Sequence, residues 1–196
     1  ALAQLSHSRE PTAMGGPHLI TCNDHLSGLT GLSNVSSIGS SLSIRLNQLV
    51  SDLSALNRIT DIGGSLTISD NDSLISISNL SNITSVGQGI WIESNPLLTS
   101  LSGLDQLTSI SGLFWINDNA LLTSLSGLDN VSSVSGNFYL TANTCLNDIN
   151  GLNKLDTVSA TFKIAGNDSL SSLSGLGNLN YIGADLWISY QHNLTS

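Results

Sequence analysis

Aliphatic residues recur along this chain with one period. Ile38, Ile62, Val86, Ile110, Val134, Val158 and Ile182 stand at equal steps of 24 residues (62 − 38, 86 − 62, and so on to 182 − 158), and Met14 extends the series back by one step. A fixed period between about 20 and 50 residues marks a solenoid or an array. Aligned on that step, the chain resolves into columns. The fifth position of each repeat reads His18, Leu42, Leu66, Ile90, Phe114, Phe138, Phe162 and Leu186, and the seventh reads Ile20, Ile44, Ile68, Ile92, Ile116, Leu140, Ile164 and Ile188. Polar or aromatic residues alternate with these, the period-2 signature of a strand with one buried face. Further along each repeat the apolar residues recur at every third position, as in Leu74, Ile77, Leu80 and Ile83. That spacing predicts tight polyproline-like or short 3₁₀ turns rather than a long helix.

One column is polar: Asn23, Asn47, Asn71, Asn95, Asn119, Asn143 and Asn167, with Gln191 in the last repeat. A short amide just after a strand can bond the backbone of a neighbouring coil, so the column predicts an asparagine ladder along the solenoid. Glycines at 31, 103, 127, 151 and 175 mark a second tight corner. Because one repeat cannot bury its own apolar face, stacked repeats share a core. The expected fold is all-β: about eight coils of 24 residues, starting at 14, 38, 62, 86, 110, 134, 158 and 182, with a long parallel sheet and little or no helix. Residues 1–13 fall outside the register and read as a cap or extension, with Leu2 and Leu5 keeping the three-residue spacing. Residues 14–196 read as a single solenoid whose last coil is incomplete and leaves Leu186, Ile188 and Leu194 at an open end. His18, at a core position of an atypical first coil, reads as a half-buried capping residue.

These residues carry a resemblance. Ile110-Ser-Gly-Leu-Phe-Trp-Ile-Asn-Asp-Asn119 followed by Leu122-Thr-Ser-Leu-Ser-Gly-Leu128 resembles a leucine-rich repeat of the receptor L-domain type, and the likeness covers nearly all of the chain after residue 13. It implies a right-handed β-solenoid with an extracellular, non-enzymatic role, and it names no ligand.

Composition narrows the partners. Only 10% of the residues are charged, the formal net charge is −9, and five residues are basic. Nucleic acid and anionic membrane surfaces are therefore not expected as partners. No apolar run approaches the ~20 residues that span a bilayer. The chain is expected to be secreted or displayed at a cell surface, and the opening Ala1-Leu2-Ala3-Gln4 resembles the small-residue end of a signal peptide. Cys22 and Cys145 lie five repeats apart, roughly 24 Å at one strand spacing each, beyond disulfide reach. Glycosylation sequons at Asn34, Asn82 and Asn130 share one outward corner, whereas those at Asn71 and Asn167 belong to the ladder and should be inaccessible.

The candidate binding chemistry lies on the strands. Their outward middle column reads Leu19, Ser43, Thr67, Trp91, Trp115, Tyr139, Lys163 and Trp187, and it holds all 3 tryptophans of the chain. Glu93 and Asn117 flank it. Lys163, between Tyr139 and Trp187, is placed for a cation–π contact. An exposed aromatic row fringed by amides and hydroxyls suits stacking on sugar rings or burial against a protein partner. The same aromatics could instead stabilise the sheet through cross-strand pairs.

Two other surfaces invite a function. The open coil end suggests head-to-tail self-association into an extracellular filament. Rows of Ser and Thr, such as Thr84-Ser85 and Thr108-Ser109, suggest an ice-binding array, although Ser and Thr are also ordinary turn residues. The acidic residues Asp24, Asp70, Asp72, Asp118 and Asp168 form no continuous column and read as solvated loops rather than a metal site. No nucleophile elbow, zinc helix or phosphate loop appears. The expectation is a non-enzymatic adhesion or recognition module that needs no cofactor.

Overall fold

The computed structural model describes residues 13–14 and 18–196, with side chains from Leu19 onward. Residues 1–12 of the expected 1–13 cap and the side chain of His18 lie outside the described residues, while Ala13 pairs in register with Ser37. Eight four-residue strands stack in chain order into one parallel sheet: His18–Thr21, Leu42–Arg45, Leu66–Ser69, Ile90–Glu93, Phe114–Asn117, Phe138–Thr141, Phe162–Ala165 and Leu186–Ser189. Each residue pairs with the one 24 positions on, as Trp91 does with Trp115 and Trp115 with Tyr139. A second side of the coil carries two-residue strands in two four-stranded sheets. One runs from Ala13–Met14 to Ser85–Val86, the other from Ser109–Ile110 to Tyr181–Ile182. The protein is thus a parallel β-solenoid with 24-residue coils, as the periodicity predicts.

The third side is built from the every-third-residue leucines. Leu74 N–H donates to Asn71 O, Leu80 N–H to Ile77 O and Ile83 N–H to Leu80 O, at 3.1, 2.9 and 2.9 Å. These bonds span three residues, so each turn returns an apolar side chain to the interior. Short 3₁₀ segments form at Thr30–Leu32, Ser54–Leu56, Ser78–Leu80, Asn150–Leu152 and Ser174–Leu176. Two intervening coils make this corner differently. Gly103 and Gly127 take φ of +120° and +107°, and their N–H groups donate to the Asp105 and Asp129 carboxylates at 2.7 and 3.0 Å. A Cβ at Gly127 would also strike the Leu101 carbonyl of the coil before it.

The interior is one continuous aliphatic column with a phenylalanine insert. Phe114, Phe138 and Phe162 are fully buried, and successive rings stack at 4.8 and 4.9 Å. Strand spacing sets that distance, which is close to the separation that aromatic faces prefer.

The asparagine ladder is more extensive than the sequence suggests. Asn71 Nδ2 donates to Ser69 O of its own strand and to Ile44 O of the preceding coil, both at 3.0 Å. Its N–H and Nδ2 also donate to Asn95 Oδ1 of the following coil, at 3.3 and 3.2 Å. Each amide therefore ties three coils together, backward through backbone carbonyls and forward through its neighbour's side chain. Asn47 through Asn167 are completely buried, which is compatible only with this full pairing. At Gln191 the longer side chain keeps the bond to Ser189 O, at 3.0 Å, but leaves its buried Oε1 without a partner.

A left-handed residue precedes every ladder position. Cys22, Leu46, Asp70, Ser94, Asp118, Ala142, Gly166 and Tyr190 have φ between 51° and 67°. Only one of the eight is glycine, so a conformation that L-residues disfavour is imposed by the ladder on each side of it. Asp70 and Asp118, two of the acidic residues considered above for a cation, occupy this column.

Candidate functional site

The outward strand column forms the floor of an open groove of about 870 Å³, within the usual size of ligand sites. Trp115, Tyr139, Lys163 and Trp187 lie along it on four consecutive strands, with Leu113, Thr161 and Asp185 on one bank and Asn117 and Thr141 on the other. The rings of Trp115 and Tyr139 are half-buried, whereas Trp187 is 56% exposed. Five of the seven expected binding residues are therefore brought together: Trp115, Asn117, Tyr139, Lys163 and Trp187.

Trp91 and Glu93 are not among the residues lining the groove. Trp91 lies back over Gly89, just before its own strand, where a Cβ at Gly89 would sit 2.7 Å from the indole Cη2 and Cζ3 atoms. Trp115 leans the opposite way, its Nε1–H donating to Thr141 Oγ1 at 3.2 Å while that hydroxyl donates to Asn117 Oδ1 at 2.7 Å. The row thus parts between Trp91 and Trp115. The close ring pairs among the described residues lie inside the core, in the phenylalanine stack, and the expected Lys163 cation–π contact is not formed.

Glu93 belongs to a separate polar group. Arg45 Nε–H donates to Ser69 Oγ at 2.7 Å, and its guanidinium lies 3.8 Å from Asp70. Burial, and then the Asp70 charge, hold the Glu93 carboxyl above the usual glutamate range, against the opposing pull of Arg45.

Four lining residues were not legible as site residues: Ala142, Ala165, Gly166 and Tyr190. Ala165 takes a position held by Arg45, Glu93 and Asn117 in other coils, and Gly166 one held by Leu46, Asp70 and Asp118. Small side chains there open the groove's bank, and the signal available in the sequence was this local drop in size. Tyr190 is 77% exposed at the left-handed position of its coil.

The remaining candidates fall elsewhere. Asn34, Asn82 and Asn130 are exposed on a corner where their amides knit coils together: Asn82 and Asn130 Nδ2 donate to Asn57 O and Asp105 O at 2.6 and 2.9 Å, while Arg58 and Lys154 donate to Asn34 and Asn130 Oδ1 at 3.2 and 2.7 Å. The hydroxyls of Thr60, Thr84, Thr123, Ser132 and Thr195 donate to carbonyls of the preceding coil. A second, smaller cavity of about 370 Å³ opens at the last coil, between Leu173, Leu176 and Leu179 and the exposed Leu186 and Ile188. Cys22 and Cys145 are free thiols. No group of three metal-ligating side chains and no helix long and apolar enough to cross a membrane occurs among the described residues.

Comparisons of the chain with protein-family models, with curated proteins and with solved structures found no match. The class is therefore defined by the architecture alone: a parallel β-solenoid with an aromatic groove on its long sheet.

Proposed function

We propose that this chain is a non-enzymatic recognition module of the leucine-rich-repeat, receptor L-domain type, acting outside the cell and binding a glycan along the groove. The observation that carries the reading is the floor itself, in which Trp115, Tyr139 and Trp187 rise from strands of one sheet beside Asn117, Thr141 and Thr161. Flat rings supply apolar faces for the carbon side of a pyranose, and amides and hydroxyls at the banks meet its hydroxyl groups. Shallowness favours an extended chain over an enclosed small molecule. A protein partner would use the same aromatic face.

The test is titration of the chain with a panel of neutral and acidic oligosaccharides, read by quenching of tryptophan fluorescence. Trp115→Ala with Trp187→Ala abolishes binding at unchanged circular dichroism, while Trp91→Ala retains it. Binding unaltered in the double variant would move the site elsewhere.

A second reading is structural: copies of the solenoid stack head to tail into an extracellular filament. Electron microscopy distinguishes the two, because rods much longer than the ~40 Å of eight strand spacings require stacking. Ice binding ranks third, since several hydroxyls of these faces, Thr84 and Ser132 among them, donate to carbonyls of the preceding coil. Thermal hysteresis would restore it.

A further inference from the structure

Five side chains carry the chain's positive charge, and four fall within the described residues. Three of those have partners. Arg45 holds Ser69 and Asp70, Arg58 donates to Asn34, and Lys154 donates to Asn130. Lys163 has no hydrogen-bond or ion-pair partner among the described residues, although a half-buried ammonium gains from one. It stands on the floor of the groove, with Tyr139 on the strand before it and Trp187 on the strand after it.

Asp185 lines the same groove, yet its carboxylate is not within 4.0 Å of any cation. A protein with formal net charge −9 that leaves a cation unpaired between two aromatic platforms has a site suited to an isolated anionic group.

We propose that the groove recognises an acidic glycan in which a uronic acid unit sits between two neutral sugars. This rests on the glycan reading above and specifies its ligand. The carboxylate of the acidic unit pairs with the Lys163 ammonium. The flanking units stack on Tyr139 and Trp187, which lie two strand spacings apart, roughly 9.6 Å along the solenoid axis. Asp185 accepts a sugar hydroxyl at the bank.

The overall negative charge sets the density of charge the ligand can carry. A polymer with a charge on every unit is repelled by the rest of the molecule, whereas a sparse one meets Lys163 without that opposition. The ligand class is therefore a glycan with alternating or occasional carboxylates, and not a densely sulfated one.

The experiment compares affinities by isothermal titration. The probes are a hyaluronan hexasaccharide and a half-methyl-esterified galacturonan hexasaccharide, each beside its carboxyl-reduced counterpart, with heparin hexasaccharide as the dense polyanion. The wild-type chain binds at least one acidic probe about tenfold or more tighter than its reduced form, the scale of one charge-assisted hydrogen bond, and binds heparin no better. Lys163→Gln equalises the acid and its reduced form while keeping the affinity for the reduced form, and Lys163→Arg retains the preference. Lys154→Gln, away from the groove, leaves the preference unchanged.

Equal binding of acid and reduced forms by the wild type would overturn the acidic-glycan inference and leave the glycan reading standing. No binding of any probe would overturn both. An equal loss of preference in Lys154→Gln, or equal weakening of both forms in Lys163→Gln, would also overturn the inference, because the effect would then be diffuse charge or packing.

Discussion

At the scale of single residues, burial of amides decides the fold. Asn119 illustrates it: its Nδ2 donates to Ile92 O and Asn117 O, its N–H donates to Asn143 Oδ1, and its own Oδ1 accepts from Asn95. Asn119→Ala leaves several buried backbone groups unpaired, at about 1–3 kcal/mol each, so chemical denaturation should show a loss of roughly 3–5 kcal/mol. The half-buried Asn23, with bonds to Thr21 O and Asn47 Oδ1, loses less on the same change. The left-handed column gives the opposite sign. A non-glycine residue at φ 52° costs about 1–2 kcal/mol, and glycine's extra chain entropy costs about 0.5–1, so Ser94→Gly should stabilise by about 0.5 kcal/mol in the same assay. A fall in stability would mean that the Ser94 side chain contributes more than its strain removes. The ladder was readable because one residue type fills it. The left-handed column was not, because Cys, Leu, Asp, Ser, Ala, Gly and Tyr share a conformation that their chemistry does not announce.

Glu93 belongs to the same scale. Its carboxyl is held above the usual range in the fold, so its relative contribution to stability is full when protonated and is lost as pH rises through the raised value. Glu93→Gln should therefore raise Tm at pH 7. The gain should vanish below the ordinary glutamate pKa of about 4.3, where both states hold the proton. A Tm difference that does not change with pH would contradict this.

At the scale of elements, each coil is a strand, a left-handed turn, an amide rung and a run of three-residue turns. The repeat period made the strand, the rung and the three-residue turns legible, but neither the left-handed turn nor the corner at Gly103 and Gly127, where an Asp carboxylate caps the glycine N–H in place of a 3₁₀ segment. The sequence difference is one residue, Asp105 or Asp129 where the other coils have Ser, Asn or Gly. Side-chain volume in the core follows a simpler rule. Phe138 lies between two stacked rings, yet the same position is Leu42, Leu66 and Ile90 elsewhere. Phe138→Leu should cost less than about 1.5 kcal/mol, whereas Phe138→Ala should cost about 3–5 because the neighbouring rings cannot close the void. Similar losses for both would show that the phenylalanine stack itself, and not volume, is required.

At the scale of the whole molecule, the solenoid is a nearest-neighbour stack in which local choices accumulate along one axis. The aromatic row was legible as a column, but the orientation of its rings was not. Trp91 folds back onto Gly89 because that residue has no side chain, and Trp115 is drawn forward by Thr141, so the groove begins only at the second tryptophan. The groove's bank depends on Ala142, Ala165 and Gly166, whose role lies in what they leave empty. The most direct test of the central claim is a nuclear magnetic resonance titration of the three indole Nε1–H signals with the oligosaccharide panel. An oligosaccharide that binds should shift the Trp115 and Trp187 signals and leave Trp91 in place. Movement of Trp91 alone, or binding with all three signals unmoved, would contradict it.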